Sequence, residues 1–425
     1  MADHVFVGFG FGPIQAGLFA KEAFQGGKFK RIVIAEIDQP LVDAVTSNHG
    51  TYHVNVAKGD GVETLQIDNV ELLNPLDPQQ AGALRTVLAE ATEVSTSLPS
   101  VSFYDSHQNN SVAALLAAGL RASRSEATLV YAAENNNRAA EILQQAVFGR
   151  MDAPPPRPVQ FLNTVIGKMS QVVTDVAEIT RRGLAPIAPG IKRAFLVEEF
   201  NRILVDKTQI PDFAPGIEVF IEKDDLLPFE EAKLYGHNAI HALLGFLGAI
   251  KGFVAMTELA TDAALMRTGH DAFIQESGGA LIRKYGSLGE DLFTEAGYRH
   301  YAEDLLRRMT NPHLGDTVAR AGRDVVRKLG LADRIFGTMG VAIEQEIVPR
   351  NLAVGAMAGV ALLLANGAEN RIPEVWRSLR WRTLDEDSLA RILAWIWQGG
   401  TSPSSQALVR HTWQARIALA ELIDR

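Results

Sequence analysis

Strand-like and helix-like runs alternate through the first half of this chain, and then the alternation stops. Short apolar strands are expected at 4–8, 31–35, 62–65, 70–72, 93–96 and 128–132. Helices are expected between them at 14–24, 41–47, 81–91 and 111–121. Strand and helix in alternation build a parallel, doubly wound sheet. The proline run 153–158 reads as a loop inside this region, because strand-like sequence follows it at 159–162 and 165–166. Beyond about residue 225 the periodicity is helical, with turn signals at Gly286, Asn311-Pro312 and Gly315. The expectation is an α/β domain over 1–200 followed by a mainly α-helical domain over 201–425.

The first strand runs into Gly8-Phe9-Gly10-Phe11-Gly12-Pro13-Ile14-Gln15-Ala16-Gly17. Glycines after a strand and before a helix let backbone turn tightly and approach a pyrophosphate at the helix N-terminus. Gly10, Gly12, Pro13 and Ile14 are therefore candidate dinucleotide contacts. The pattern departs from the usual fingerprint: Gln15 stands where a third glycine is expected if the count starts at Gly10, and Pro13 if it starts at Gly8. The next strand ends in Glu36-Ile37-Asp38, at the distance of the acid that binds the ribose hydroxyls. Glu36 would favour NAD over NADP, and Asp38 is the alternative acid. Two more strands end at Ser97 and at Glu134-Asn135-Asn136. Ligands of open α/β sheets bind at such carboxyl ends, so Ser97 and Asn135 are candidates, although Asn135 fits a helix N-cap equally well.

A net charge of −9 argues against nonspecific binding to nucleic acid or anionic membrane. The chain has no cysteine, which removes disulfides, thiol catalysis and thiolate-bound zinc. Met1-Ala2-Asp3-His4 has no basic targeting region, and the longest apolar stretches, 239–250 and 352–365, fall short of the roughly 20 residues that cross a bilayer. A cytoplasmic protein is expected, a monomer or homodimer with a small-molecule partner.

The helical half opens with Lys233, Asn238 and His241 at K-x4-N-x2-H spacing. On an α-helix of about 100° per residue, Asn238 lies roughly 140° and His241 roughly 80° round from Lys233, on one broad face. An amine, an amide and an imidazole at the mouth of an apolar helix suit metal-free proton chemistry on an alcohol. Singly, Lys233 reads as a surface lysine and His241 as a core histidine.

The same K-x4-N-x2-H resembles that of the long-chain polyol dehydrogenases, the family of mannitol dehydrogenase and mannitol-1-phosphate 5-dehydrogenase. Further runs are similar: Tyr52-His53-Val54-Asn55-Val56, Ala133-Glu134-Asn135, Val205-Asp206-Lys207-Thr208-Gln209, Glu276-Ser277-Gly278, Ile282 to Gly286, Asn311 to Asp316, and Pro349-Arg350-Asn351-Leu352. The resemblance spans about residues 4–365. It implies a Rossmann-type NAD-binding domain followed by a helical substrate domain. It also implies that Lys233 is the general base, that Asn135 and Asn238 donate to the alkoxide, and that His241 orients the substrate. Glu230 or Glu231 would carry protons outward. No metal is implied.

Arg320, Arg323, Arg327 and Lys328 place four cations within nine residues. The three arginines at i, i+3 and i+7 would share a helix face and attract an anion, with Arg350 joining them. The alternative is a solvated basic face answered by Asp316, Asp324 and Asp333. The first reading makes the substrate a hexitol phosphate, with mannitol 1-phosphate and fructose 6-phosphate as the best guess. An unphosphorylated polyol or a sugar acid such as mannonate or altronate is the alternative, and a nucleotide-binding sensor without catalysis is a third. One departure bears on this choice: Gly167-Lys168 occupies the place of the family's Asp-Arg pair. The five tryptophans from Trp376 to Trp413 read as helical packing.

Overall fold

The computed structural model describes residues 4–106 and 108–424. Met1–Asp3, read above for a targeting signal, lies outside them. The chain forms two compact units, Met1–Leu227 and Pro228–Arg425.

Among the described residues the first unit holds twelve strands: β1 (His4–Phe9), β2 (Phe29–Ala35), β3 (Tyr52–Ala57), β4 (Val62–Ile67), β5 (Val70–Leu73), β6 (Glu93–Thr96), β7 (Thr128–Ala132), β8 (Val159–Ile166), β9 (Ser170–Val173), β10 (Ala194–Glu198), β11 (Ile203–Asp206) and β12 (Phe220–Lys223). Eight form one sheet in the order β12-β11-β8-β7-β6-β1-β2-β5. From β5 to β8 every pairing is parallel, the doubly wound order in which the strand sequence changes direction across the sheet between β1 and β6. The central strands are buried on both faces, which is why they read as unbroken apolar runs.

Two features depart from the sequence expectation. β3, β4, β9 and β10 form a separate four-stranded sheet. Its inner face joins the main core through Tyr52, Val54, Phe195 and Val197, packed with Phe6, Phe11 and Phe19. The division expected at 200/201 also moves to 227/228. β11 pairs antiparallel with β8, and β12 pairs with β11, so residues 201–227 complete the first sheet. Local sequence gave no sign of this, because the pairing partner lies some 40 residues back.

Gly8 and Gln15 explain each other. The Gln15 side chain is fully buried, and its Oε1 accepts a hydrogen bond from Ser95 Oγ at 2.9 Å. A Cβ on Gly8 would lie 2.1 Å from Gln15 Nε2 and 2.7 Å from Ile34 Cδ1. The fingerprint normally keeps a glycine on the helix for close helix–strand approach. Here the strand supplies the missing side chain and the helix supplies the bulk. The chain then runs through a π-helical turn, Gln15–Ala20, before the α-helix Lys21–Gly26.

Gly167-Lys168 has a structural part as well. The Lys168 ammonium is buried and donates to Glu198 O at 2.6 Å, Phe200 O at 2.8 Å and Asn201 Oδ1 at 3.1 Å. It pins the turn between β10 and β11. Asn55, from the Tyr52–Val56 run, braces the small sheet. Its amide donates to Ala185 O and Phe195 O and accepts from Ala185 N–H.

The second unit is helical. Its central helices are Ala239–Lys251 and Arg350–Ala365, both apolar on most faces and packed on each other. The helix Ser405–Ile423 covers Arg350–Ala365. The tryptophans do pack: Trp397 stacks edge-on to Phe336 and donates to Leu329 O, and Trp413 donates to Leu384 O. Among the described residues, no helix is long and apolar enough to cross a membrane.

Gly8→Ala is expected to destabilise the protein by about 1–3 kcal/mol through overpacking against Gln15 and Ile34. Gln15→Ala in the same chain should recover part of that loss. A double-mutant cycle by urea unfolding measures the coupling; additive losses would show that the two side-chain volumes are independent.

Candidate active site

In the first unit, the carboxyl ends of β1, β2 and β6 surround a cavity of about 520 Å³. Gly10, Gly12, Pro13, Ile14, Glu36 and Ser97 all line it. Gly10 has φ +82°, and a Cβ there would sit 2.9 Å from Ser97 O, so both conformation and space require glycine. A Cβ on Gly12 would meet nothing within 4 Å, which leaves that backbone open to the cavity. Glu36 accepts from Phe11 N–H at 2.7 Å and Asp38 N–H at 2.9 Å, one bond to each oxygen. A carboxylate has about four lone-pair sites, so acceptor capacity remains for a diol. Asp38, the alternative acid, is held by Arg193 at 2.5 Å. Ser97 Oγ is buried without a hydrogen-bond partner among the described residues. These groups fit the ribose and pyrophosphate of a dinucleotide.

Asn135 lies elsewhere. It is exposed in the loop after β7 and does not line this cavity. Its neighbour Glu134 is the buried brace of the region, accepting from Thr96 Oγ1 at 2.8 Å, Leu98 N–H at 2.8 Å and the Tyr104 hydroxyl. Burial raises the Glu134 carboxyl from its ordinary value, against these three donors. Phe11, Leu98 and Arg193 also line the cavity and were not anticipated.

In the second unit, Lys233 and Asn238 lie on a π-helical segment, Ala232–Asn238, that leads into the helix Ala239–Lys251 bearing His241. The α-helical angle expected between them does not hold. In a π-helix residue i bonds to i+5, so Lys233 and Asn238 stand about one turn apart rather than on opposite sides of a face. Such insertions collect at functional sites.

Lys233 is half-buried. Burial, reinforced by Arg334 and opposed by Glu230, draws its amine from 10.5 down to about 8. Of the two acids considered as proton carriers, Glu230 is the one that acts on Lys233. Glu231 is engaged by Lys284 at 2.8 Å and the Tyr285 hydroxyl at 2.8 Å. Eight residues on from Lys233, His241 Nε2 meets Asp316 Oδ2 at 2.7 Å, and Asp316 Oδ1 accepts from Arg320 Nε at 2.7 Å. Burial alone would raise Asp316; the hydrogen bonds from His241 and Arg320, and their charges, overcome it and hold the carboxyl far below its usual range. His237, absent from the sequence reading, is buried between these groups. Burial, then the charges of His241, Arg308 and Lys233, keep its imidazole neutral. Arg334 was also missed. It is buried against Asp333 at 2.8 Å, and no local pattern marks it.

The basic run does not form one face. Helix Val318–Gly322 ends at Arg323, which is extended, and Asp324 is left-handed at φ 57° before a new turn, Val325–Lys328. Aspartate tolerates that conformation better than most residues. Arg320 pairs with Asp316, Arg323 with Asp324, and Arg327 with Asp324 and Asp333. Lys328 turns inward and donates to Ala321 O at 2.5 Å. Burial, with Arg334 and Arg327, lowers it to about 7. Arg350 is exposed at the start of Arg350–Ala365. The expected five-residue anion clamp is thus answered mainly by carboxylates.

The Glu276-Ser277-Gly278 and Pro349-Arg350-Asn351-Leu352 runs meet in a structural contact. Glu276 accepts from Asn351 N–H at 2.7 Å, Asn351 Nδ2 at 2.9 Å and Leu352 N–H at 2.8 Å. It caps the central helix from a distance, supplying the negative charge that a helix N-terminus favours. Among the described residues, no group of three or more His, Cys, Asp or Glu side chains could hold a metal ion.

The architecture is thus a doubly wound α/β unit with a glycine turn and an acid at the end of β2, followed by a helical unit carrying a lysine lowered by burial. Residues 225–376 match the mannitol dehydrogenase C-terminal domain. Two solved structures are similar over nearly the whole chain. A D-sorbitol dehydrogenase in substrate-free form matches with a TM-score of 0.74 at 16% identity, covering 98% of this chain and 93% of its own. The Pseudomonas fluorescens mannitol 2-dehydrogenase, in a ternary complex with NAD and D-mannitol, matches with a TM-score of 0.69 at 17% identity, covering 100% and 94%. At these identities the likeness establishes the shared fold.

Glu276→Ala should lower the unfolding free energy by about 1–3 kcal/mol, the usual result of leaving buried N–H groups unmatched. Glu276→Gln, which keeps one acceptor oxygen, should lose less. Urea denaturation of the three proteins checks the order.

Proposed function

We propose that this protein is an NAD(H)-dependent polyol dehydrogenase that interconverts a secondary alcohol and its ketone, with Lys233 as general base. The observation that carries this reading is Lys233 itself: an amine drawn down to about 8, eight residues before the His241 that Asp316 and Arg320 fix, within the residues that match the mannitol dehydrogenase C-terminal domain. An amine near that value is neutral often enough to take an alcohol proton and acidic enough to return it. The first unit would hold the dinucleotide, with Gly10, Gly12, Pro13, Ile14 and Ser97 along the pyrophosphate and Glu36 on the ribose. The chemistry such a cofactor supplies is hydride exchange with the carbinol carbon. Asn238 would donate to the oxygen as it becomes alkoxide or carbonyl. His241, fixed by Asp316, would orient the neighbouring hydroxyls, and Glu230 would relay the proton outward.

For the substrate, an uncharged, unphosphorylated polyol is favoured over a hexitol phosphate, and over a sugar acid for the same reason. The reason is that Arg320, Arg323 and Arg327 each have a carboxylate partner, while Lys328 is about half neutral near pH 7. The mannitol 1-phosphate and fructose 6-phosphate pair is the second reading. It would require the phosphate to displace those carboxylates. NADH oxidation with fructose, fructose 6-phosphate, fructuronate and tagaturonate separates the two; a phosphate ester turned over far faster than the free sugars would favour the second.

Lys233→Ala should keep NADH affinity while turnover falls about 10²–10⁴-fold, the usual contribution of a positioned acid–base group. Binding with unchanged turnover would remove Lys233 from the mechanism. The lysine must be neutral to act as base, so alcohol oxidation should rise as pH passes upward through about 8 and then level. Ketone reduction needs the ammonium and should fall over the same range. Stopped-flow pH profiles in both directions test the sign.

A further inference from the structure

A second cavity in the first unit, of about 580 Å³, is lined by Arg85, Arg121, Arg150 and Asp105, with Asn109 and alanines of the helix Val112–Arg121. Its volume suits a small metabolite. Three guanidinium groups around one cavity are unusual in a chain of net charge −9, because like charges held together repel unless an anion answers them. Among the described residues Asp105 pairs only with Arg150, and its side chain is 54% exposed. Among the described residues, Arg85 and Arg121 have no carboxylate partner. Arg85 donates to Asn110 Oδ1 at 2.7 Å and Asn109 O at 3.5 Å, and Arg121 to Arg150 O at 2.9 Å. Each guanidinium carries five N–H donors, so most of those on Arg85 and Arg121 remain available.

We propose that this arginine-lined cavity is a second ligand site, separate from the dinucleotide cavity, that takes a small phosphate-bearing metabolite through Arg85, Arg121 and Arg150 and alters cofactor affinity when filled. The coupling has a physical route. Arg85 holds Asn110, and Asn110 lines the dinucleotide cavity together with Phe103 and Ser106. Asp105 and Asn109, from the same stretch, line the arginine cavity. An anion that recruits the Arg85 fork competes with its bond to Asn110 and frees a wall residue of the other cavity. The binding claim stands without the dinucleotide reading, whereas the coupling claim rests on it.

The test uses the full chain, with inorganic phosphate as probe in low-salt buffer, where exposed charges are least screened. Calorimetric titration should show saturable binding that weakens at least tenfold in the Arg85→Gln/Arg121→Gln double variant, and also in Arg121→Glu alone. Matched thermal melts establish that each variant is folded. Phosphate binding that is unchanged in both variants, or absent from the wild type, overturns the site. NADH titrated by fluorescence with and without saturating phosphate should change in affinity by about fivefold or more, and Arg85→Gln should abolish the difference. Arg-dependent phosphate binding with unaltered NADH affinity overturns the coupling. Arg-dependent phosphate binding in a protein that binds no NADH leaves the site standing and overturns the dinucleotide reading instead.

Discussion

The second unit depends on one buried carboxylate. Asp316 is almost fully enclosed, and an enclosed charge is costly unless it is paired and hydrogen-bonded. It is: His241 and Arg320 occupy its two oxygens, and Thr317 N–H adds a third bond at 2.8 Å. Its backbone carbonyl accepts from Met256 N–H, tying the 311–320 segment to the chain that follows the central helix. The same contacts set the direction of the imidazole and hold the half-buried Arg320 guanidinium in place. One residue thus orders the local backbone and fixes two side chains of the candidate site.

Around that anchor the unit tunes amines by burial. Lys233 and Lys328 are both lowered, and in both cases burial is the largest cause and Arg334 adds to it. His237 is kept neutral for the same reason. Glu230 moderates the effect on Lys233 alone. Lys328 also has an acid acting on it, Asp324, but three arginines, Arg334, Arg327 and Arg323, oppose that acid, whereas Arg334 is the one cation named against Lys233. This distinguishes an amine suited to proton exchange from one, Lys328, that turns inward to a carbonyl oxygen.

Much of this was legible in sequence. The central strands were readable because parallel strands buried on both faces are continuous apolar runs. The glycine turn and Glu36 were readable because their chemistry is local. Gln15 looked like a defect in the fingerprint until Gly8 was found opposite it. The small sheet was not legible: β3 and β10 are separated by more than 130 residues, and their pairing is set by Tyr52 and Phe195 joining a core built elsewhere. The basic run misled for a related reason. Its i, i+3, i+7 spacing assumes one helix, and the left-handed Asp324 interrupts it.

The sequence by itself determined the two architectures, the glycine turn, the acid at the end of β2 and the spacing of Lys233, Asn238 and His241, since each follows from periodicity or from a short motif. Tertiary structure alone decided which carboxylate holds His241, which of Glu230 and Glu231 acts on Lys233, and that the basic run is largely paired with acids. It also decided that a π-helical turn, rather than an α-helix, sets Lys233 against Asn238. Those outcomes depend on burial and on partners distant in the chain. Neither is visible in a local pattern, because the free energy of a charge is set by its surroundings more than by its neighbours in sequence.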